Sequence, residues 1–282
     1  MIATLSEHPG AATAAEQVES LLASLPAVEA FAALEHRFGV LPLAVDFFTG
    51  LDAAHGALGL FTPTPELTWD AAAVDGERSA AGLLLRGEVR IANPRAAGAI
   101  VLVRLDGAER RLAWVGQAAV NGRLVLDGAA VPPEQVSTPV TLALGSDFVQ
   151  HLEAYAGVWA LAAAIRAREE VHALRRTARI TRHREKAFSA SQLVALSITE
   201  VEIEADLTLA AARGAAGGLR AAAAAARCLH AAAALAVELR DQAGLEVAGQ
   251  PHETARALTA FLGGPLLIES ELGRSLGIPE TA

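Results

Sequence analysis

Six cationic residues fall within twelve positions of this 282-residue chain: Arg175, Arg176, Arg179, Arg182, Arg184 and Lys186. They lead into a long amphipathic helical pattern that runs to Arg213. Guanidinium forks suit phosphate oxygens, and a helix N-terminus adds backbone donors and positive potential. The chemistry this grouping could perform is neutralisation of a pyrophosphate, such as that of FAD or coenzyme A, beside an apolar core. The alternative is a solvated loop whose arginines pair with Glu169, Glu170 and Glu185, and charge pattern alone does not choose between the two.

Other candidate groups are less suggestive. Glu200, Glu202, Glu204 and Asp206 alternate along the helix rather than converge, with no histidine at ligand spacing, so a solvated face is expected and not a metal site. His151, His172, His183, His230 and His252 form no HxxxH or HxH pair. Nucleophile elbow, Walker loop and CxxC motifs are absent. Cys228 is the only cysteine, which excludes an intramolecular disulfide and makes a reducing cytoplasm the default. In an Ala-rich helix it reads as a small core residue and not as a nucleophile. Glu269 and Glu271 could act as bases in a dry site, although surface glutamates are the commoner case.

The elements that must position these groups follow from periodicity. Residues 1–58 read as a short helical stub: Pro26 starts a helix that Gly39 ends, and Pro42 opens another with Leu43, Phe47 and Leu51 at i, i+4, i+8. From 59 to 145 strand-like runs alternate with Asp106-Gly107, Asn121-Gly122 and Asp127-Gly128, which predicts hairpins and a small antiparallel β-barrel or sandwich. From 146 to 282 the pattern is helical. Ser146 or Asp147 caps a helix with a Phe148, Leu152, Tyr155, Trp159, Ala163 stripe. Ser189 or Ser191 caps a second whose Val194, Ile198, Val201 and Ala205 face inward. A third runs from about 219 to 243, and a fourth runs from Pro251 to Gly263-Gly264-Pro265. The expected fold class is α+β, a helical stub, a β module and a four-helix bundle.

Composition bounds the rest. A 52% hydrophobic share with only 4% aromatics requires a core of Ala, Leu and Val, and Ala-rich helices that bury little area each point to an oligomer. A formal charge of −9 argues against general nucleic-acid binding. The apolar run 221–237 contains Arg227 and His230 and reads as too polar for a membrane span.

Three segments resemble the acyl-CoA dehydrogenase family. LLLRGEVRIANPRAAGAIVLVRLDG (83–107) is similar to the family's middle-domain strands. RHREKAFSASQLVALSITEVEIEADLTLAAAR (182–213) resembles the bundle helix that opens on an Arg-x-x-Phe-Gly signature and a Gln. TARALTAFLGGPLLIESELGRSLG (254–277) resembles the closing segment. The resemblance implies FAD bound between β module and bundle, contacted by a neighbouring subunit through Arg182 or Arg184, Phe188 and Gln192, and α,β-dehydrogenation of an acyl thioester carried by CoA or a carrier protein. Ser189 stands where the family has Gly, FTPTPELTWDAA (61–72) replaces the usual flavin-contacting run, and Arg90 replaces an aromatic. The family's catalytic Glu would align near Gly263-Gly264, so no catalytic residue is assigned; relatives with the base early in the bundle point to Asp147 or Glu153. These departures leave three expectations: a flavin-dependent acyl-thioester dehydrogenase, a non-catalytic partner subunit of a full-length paralogue, or a flavin-free biosynthetic enzyme on the same scaffold.

Overall fold

The computed structural model describes residues 13–63, 69–71, 74–106, 109–143, 145–183, 186–187, 192–214, 218–243 and 251–262, with the backbone alone at 61–63, 69–71, 182–183, 186–187 and 242–243. Helix α1 (Ala14–Ser24) opens on a capping box: the Glu16 N–H donates to Thr13 Oγ1 at 3.3 Å, and the Thr13 N–H donates to the Glu16 carboxylate at 2.6 Å. Helix α2 (Ala27–Leu34) follows Pro26.

Gly39 does not end this helix. The chain passes from α2 through a π-helical turn, Glu35–Val40, into α3 (Leu41–Phe47). Pro42 supplies no backbone N–H, and the widened turn, in which the Leu41 N–H donates to the His36 carbonyl, carries the helix past it. Gly39 is there for close approach. A Cβ at this position would lie 2.9 Å from Leu58 Cδ1.

The β module comprises β1 (Gly56–Gly59), β2 (Phe61–Pro63), β3 (Trp69–Ala71), β4 (Val74–Ser79), β5 (Gly82–Arg90), β6 (Gly98–Arg104), β7 (Arg110–Val115), β8 (Arg123–Val131) and β9 (Val136–Val140). Seven of them form one sheet in the order β8-β5-β4-β6-β7-β9, with β1 also on β6. Most pairings are antiparallel, while β6 takes β1 and β4 as parallel neighbours at successive heights of one edge. The sheet curls around its own core of Val74, Leu85, Val101, Val103, Leu124 and Leu126.

Asn121-Gly122 forms the expected tight turn, with φ of 53° and 72° and a Val120–Arg123 bridge. Asp127-Gly128 does not turn the chain. Both lie inside β8, where the register against Leu85 and Arg86 shifts by one and Gly128 takes φ 72°, a bulge built on a left-handed glycine.

The C-terminal part holds α4 (Asp147–Ile180), α5 (Gln192–Arg213), α6 (Gly218–Ala243) and α7 (Pro251–Ala260). Ser146 caps α4, its hydroxyl accepting from the Val149 N–H at 3.4 Å. The three long helices pack on one another, and α7 packs on α6 and α2. Phe148, Leu152, Tyr155, Trp159 and Ala163 are all buried, as their stripe predicts. Of the α5 face, Ile198 and Ala205 are buried, and Val194 and Val201 pack partly buried against the cluster that holds Ile198.

Cys228 sits in the core, where burial pushes its thiol up to about 11. By length and composition alone, Gly218–Asp241 is apolar enough to cross a membrane, contrary to the expectation drawn from Arg227 and His230, because runs of alanine surround those two residues; half of its most apolar window is buried inside this fold.

Candidate functional site

The basic grouping does not sit at one helix mouth. Arg175, Arg176 and Arg179 occupy the last turns of α4, where cations complement the negative end of the helix dipole. The chain then makes a two-residue antiparallel ladder, β10 (Arg182–His183) and β11 (Lys186–Ala187), pairing Arg182 with Ala187 and His183 with Lys186, before α5 begins at Gln192. The expected cationic entrance is thus shared between the end of one helix and a hairpin leading to the next. Gln192 is exposed on the first turn of α5. Arg184, Glu185, Phe188, Ser189 and Ser191 lie outside the described residues, as do Gly263, Gly264, Glu269 and Glu271.

Part of the charge is spent on structure. Arg175 Nη1 reaches both oxygens of Glu202, at 2.7 and 2.5 Å, and His172 Nε2 lies 3.4 Å from the same carboxylate. Arg168 holds Asp206 at 2.8 Å. Glu202 and Asp206 therefore fasten α5 to α4, while Glu200 and Glu204 remain exposed. Glu169 and Glu170, expected as partners of the cluster, instead accept from Arg166 at 3.1 and 3.3 Å. No group of three or more His, Cys, Asp or Glu among the described residues could hold a metal ion.

A second centre escapes sequence reasoning. Glu35, in the π-helical turn, is 1% exposed, and burial raises its carboxyl well above the usual range, opposed only by a hydrogen bond from the Leu58 backbone. Among the described residues its Oε2 is buried without a hydrogen-bond partner. The buried Tyr155 hydroxyl is pushed up as well, first by desolvation and then by the nearby Glu35. Beside it, burial lowers His36. The available signal was positional: Glu35 lies four residues after Phe31 and one after Leu34, on the apolar side of its helix.

Around this carboxyl the interior is filled. Phe31, Phe148, Tyr155, Trp159 and Phe261 are each 1% exposed, with Phe31 edge-on to Trp159 at 6.0 Å. Cavities of about 250 and 230 Å³ lie elsewhere, the first lined by Glu19, Ile165, Arg168, His172 and Arg213, the second along the sheet by Arg78, Leu83, Leu105 and Arg111. Among the described residues, Gln192 lines neither. Asp147 is exposed at the start of α4, and Glu153 is half-buried with its carbonyl against Gly218.

No protein-family model matches the chain, and no curated protein matches it in sequence. Solved structures do. FkbI, described for biosynthesis of the methoxymalonyl extender unit of the Fk520 polyketide, aligns with a TM-score of 0.64 at 15% identity, over 94% of this chain and 84% of that one. The ChsE4–ChsE5 complex of Mycobacterium tuberculosis aligns at 0.59 and 17%, over 90% and 81%. A glutaryl-CoA dehydrogenase of Mycobacterium smegmatis in complex with FADH2 aligns at 0.60 and 18%, over 92% and 82%. Each alignment spans 90% or more of this chain, stub, sheet and C-terminal helices together; the chain has the acyl-CoA dehydrogenase fold.

Proposed function

We propose that the chain is a subunit of a cytoplasmic, flavin-dependent dehydrogenase that introduces an α,β double bond into an acyl thioester of CoA or a carrier protein. The observation that supports this is the placement, within this fold, of the basic α4–α5 hairpin next to an exposed glutamine at a helix N-terminus. The donor set fits the pyrophosphate of FAD: Arg182 and Arg184 would neutralise it, Gln192 would donate an amide N–H, and Phe188 would pack beside it. Bound FAD supplies the acceptor for the β hydride. The chain's own contribution is binding and orientation, and the group that takes the α proton is left unassigned.

A second reading is favoured by the filled interior. With Tyr155, Trp159 and Phe261 closing the space between stub, α4 and α7, this chain could serve as a non-catalytic partner that completes the flavin site of a full-length paralogue. The absorption spectrum of the purified chain separates the readings. A flavin band near-stoichiometric with protein, lost in an Arg182→Ala/Arg184→Ala/Gln192→Ala variant, is the expected result for the first. A chain that is colourless alone and gains flavin with a paralogue supports the second. A chain that is colourless in both tests leaves flavin-free biosynthetic chemistry on the same scaffold and refutes the proposal.

A further inference from the structure

The cavity of about 250 Å³ opens between α1, α4 and α5. Its floor is apolar. Leu209 is buried, Leu22 and Ile165 pack half-buried against the main core, and Ala23 stands exposed at the edge. Three donor side chains line the same space: Arg168 and His172 from α4, and Arg213 from the last turn of α5.

Each of the three is poorly matched within the chain. Arg168 Nε lies 2.8 Å from Asp206, yet it is buried and makes no hydrogen bond among the described residues. Arg213 reaches Glu19 only at 3.4 Å. The His172 ring stands 3.4 Å from Glu202, a carboxylate that Arg175 already holds. A charge-assisted hydrogen bond closes to about 2.7–2.9 Å, as Arg104 does on Asp75 at 2.7 Å and Arg78 on Glu109 at 2.8 Å. Incomplete pairing of cationic side chains is thus concentrated around one apolar hollow.

The same walls limit what can enter. Glu19 and Glu169 also line the cavity, and Glu169 is held by Arg166 at 3.1 Å. One carboxylate matches the two guanidinium groups, whereas a dianion such as phosphate would bring its second charge against both glutamates. Size sets the other bound. A cavity of roughly 150 Å³ takes up benzene, so this one holds a molecule of about ten non-hydrogen atoms.

We propose that this cavity binds a small aliphatic carboxylic acid as its monoanion. The carboxylate lies between Arg168 and Arg213, and the chain lies on Leu22, Ile165 and Leu209. The acid takes the place of Glu19 on Arg213. Binding here needs no flavin, and the site stands or falls apart from the dehydrogenase reading.

A methyl-resolved NMR titration of the full chain with sodium octanoate at neutral pH tests this. Saturable shifts are expected at the Leu22, Ile165 and Leu209 methyl groups, with a dissociation constant of roughly 1 mM or below. Arg213→Ala should weaken binding by roughly 10-fold, and Glu19→Gln, which removes the competing carboxylate, should tighten it by about 3-fold. Ala23→Phe fills the hollow from the exposed side of α1 and should abolish saturation. Inorganic phosphate and octylammonium should not saturate. The proposal is overturned by an absence of saturable shifts, by octanoate binding that Arg213→Ala leaves unchanged, or by phosphate or octylammonium binding as tightly as octanoate. Arg213 is exposed at the end of its helix, so that variant decides the matter even if Ala23→Phe disturbs the fold.

Discussion

The Tyr155 hydroxyl donates to the Phe261 carbonyl oxygen at 2.8 Å, joining α4 to the residue that follows α7 across 106 positions of sequence. One helical turn further along α4, Trp159 Nε1 donates to the Leu258 carbonyl at 3.1 Å. The carbonyls at the end of a helix lack part of their intrahelical bonding, and here the Trp159 indole N–H and the Tyr155 hydroxyl donate to the Leu258 carbonyl and to that of Phe261 just beyond the helix, both side chains being buried.

Tyr155→Phe removes the donor that the buried Phe261 carbonyl has among the described residues. The expected loss is about 1–3 kcal/mol of unfolding free energy, with little change in secondary structure. A lower urea midpoint at unchanged slope is the measurement that checks it; an unshifted midpoint would show that the bond contributes nothing net.

Glu35→Gln should stabilise the protein near neutral pH. Burial raises the folded-state value of this carboxyl above its ordinary 4.5, so the folded chain holds a proton that the unfolded chain has released. Stability is therefore fully present below about pH 4.5 and declines as pH rises toward the folded value. The amide keeps an oxygen for the Leu58 N–H and carries no charge to bury. Melting temperatures of the two proteins should converge in acid and diverge with rising pH. A gap that is the same at every pH would contradict the buried-acid assignment.

The Cys228 thiol, held at about 11 and buried, should resist alkylation in the folded chain at pH 8. Titration with an aromatic disulfide reagent is expected to find no reactive thiol in the native protein and one after denaturation. Fast native labelling would mean that α6 opens locally.

Gly218→Ala places a methyl group 2.2 Å from the Glu153 carbonyl oxygen, at the point where α6 starts against α4. Backbone cannot yield there as a flexible side chain would, and a cost of about 1–3 kcal/mol is expected from overpacking. Thermal unfolding measures it, with Gly128→Ala as a comparison in which the penalty comes from φ 72° alone and nothing is struck.

Apolar periodicity made the helices of the C-terminal half legible: Phe148 through Ala163 recur at helical spacing and are buried for that reason. Turn chemistry was legible where two left-handed residues are needed in succession, as at Asn121-Gly122, and misleading where one suffices, since the bulge at Gly128 uses the same dipeptide signal. Gly39 misled for a related reason: small size lets a glycine stop a helix or let Leu58 approach it, and sequence alone does not separate the two uses. The site was legible only as chemistry. Arg182 and Gln192 are neighbours in sequence, on the hairpin and at the start of α5, but the assignment of Arg175 to Glu202 depends on how α4 and α5 lie side by side, a non-local fact. Glu35 was invisible because a carboxylate on an apolar face is ordinarily a register error and only rarely a buried acid.

Helix α4 is 34 residues long, about 50 Å, and runs without interruption from the Ser146 cap beside the sheet to the basic hairpin. Because α5 and α6 both pack along it, this one helix braces the whole C-terminal half, and a fault near its middle, at Ala163 or Ala164, would reach both neighbours at once.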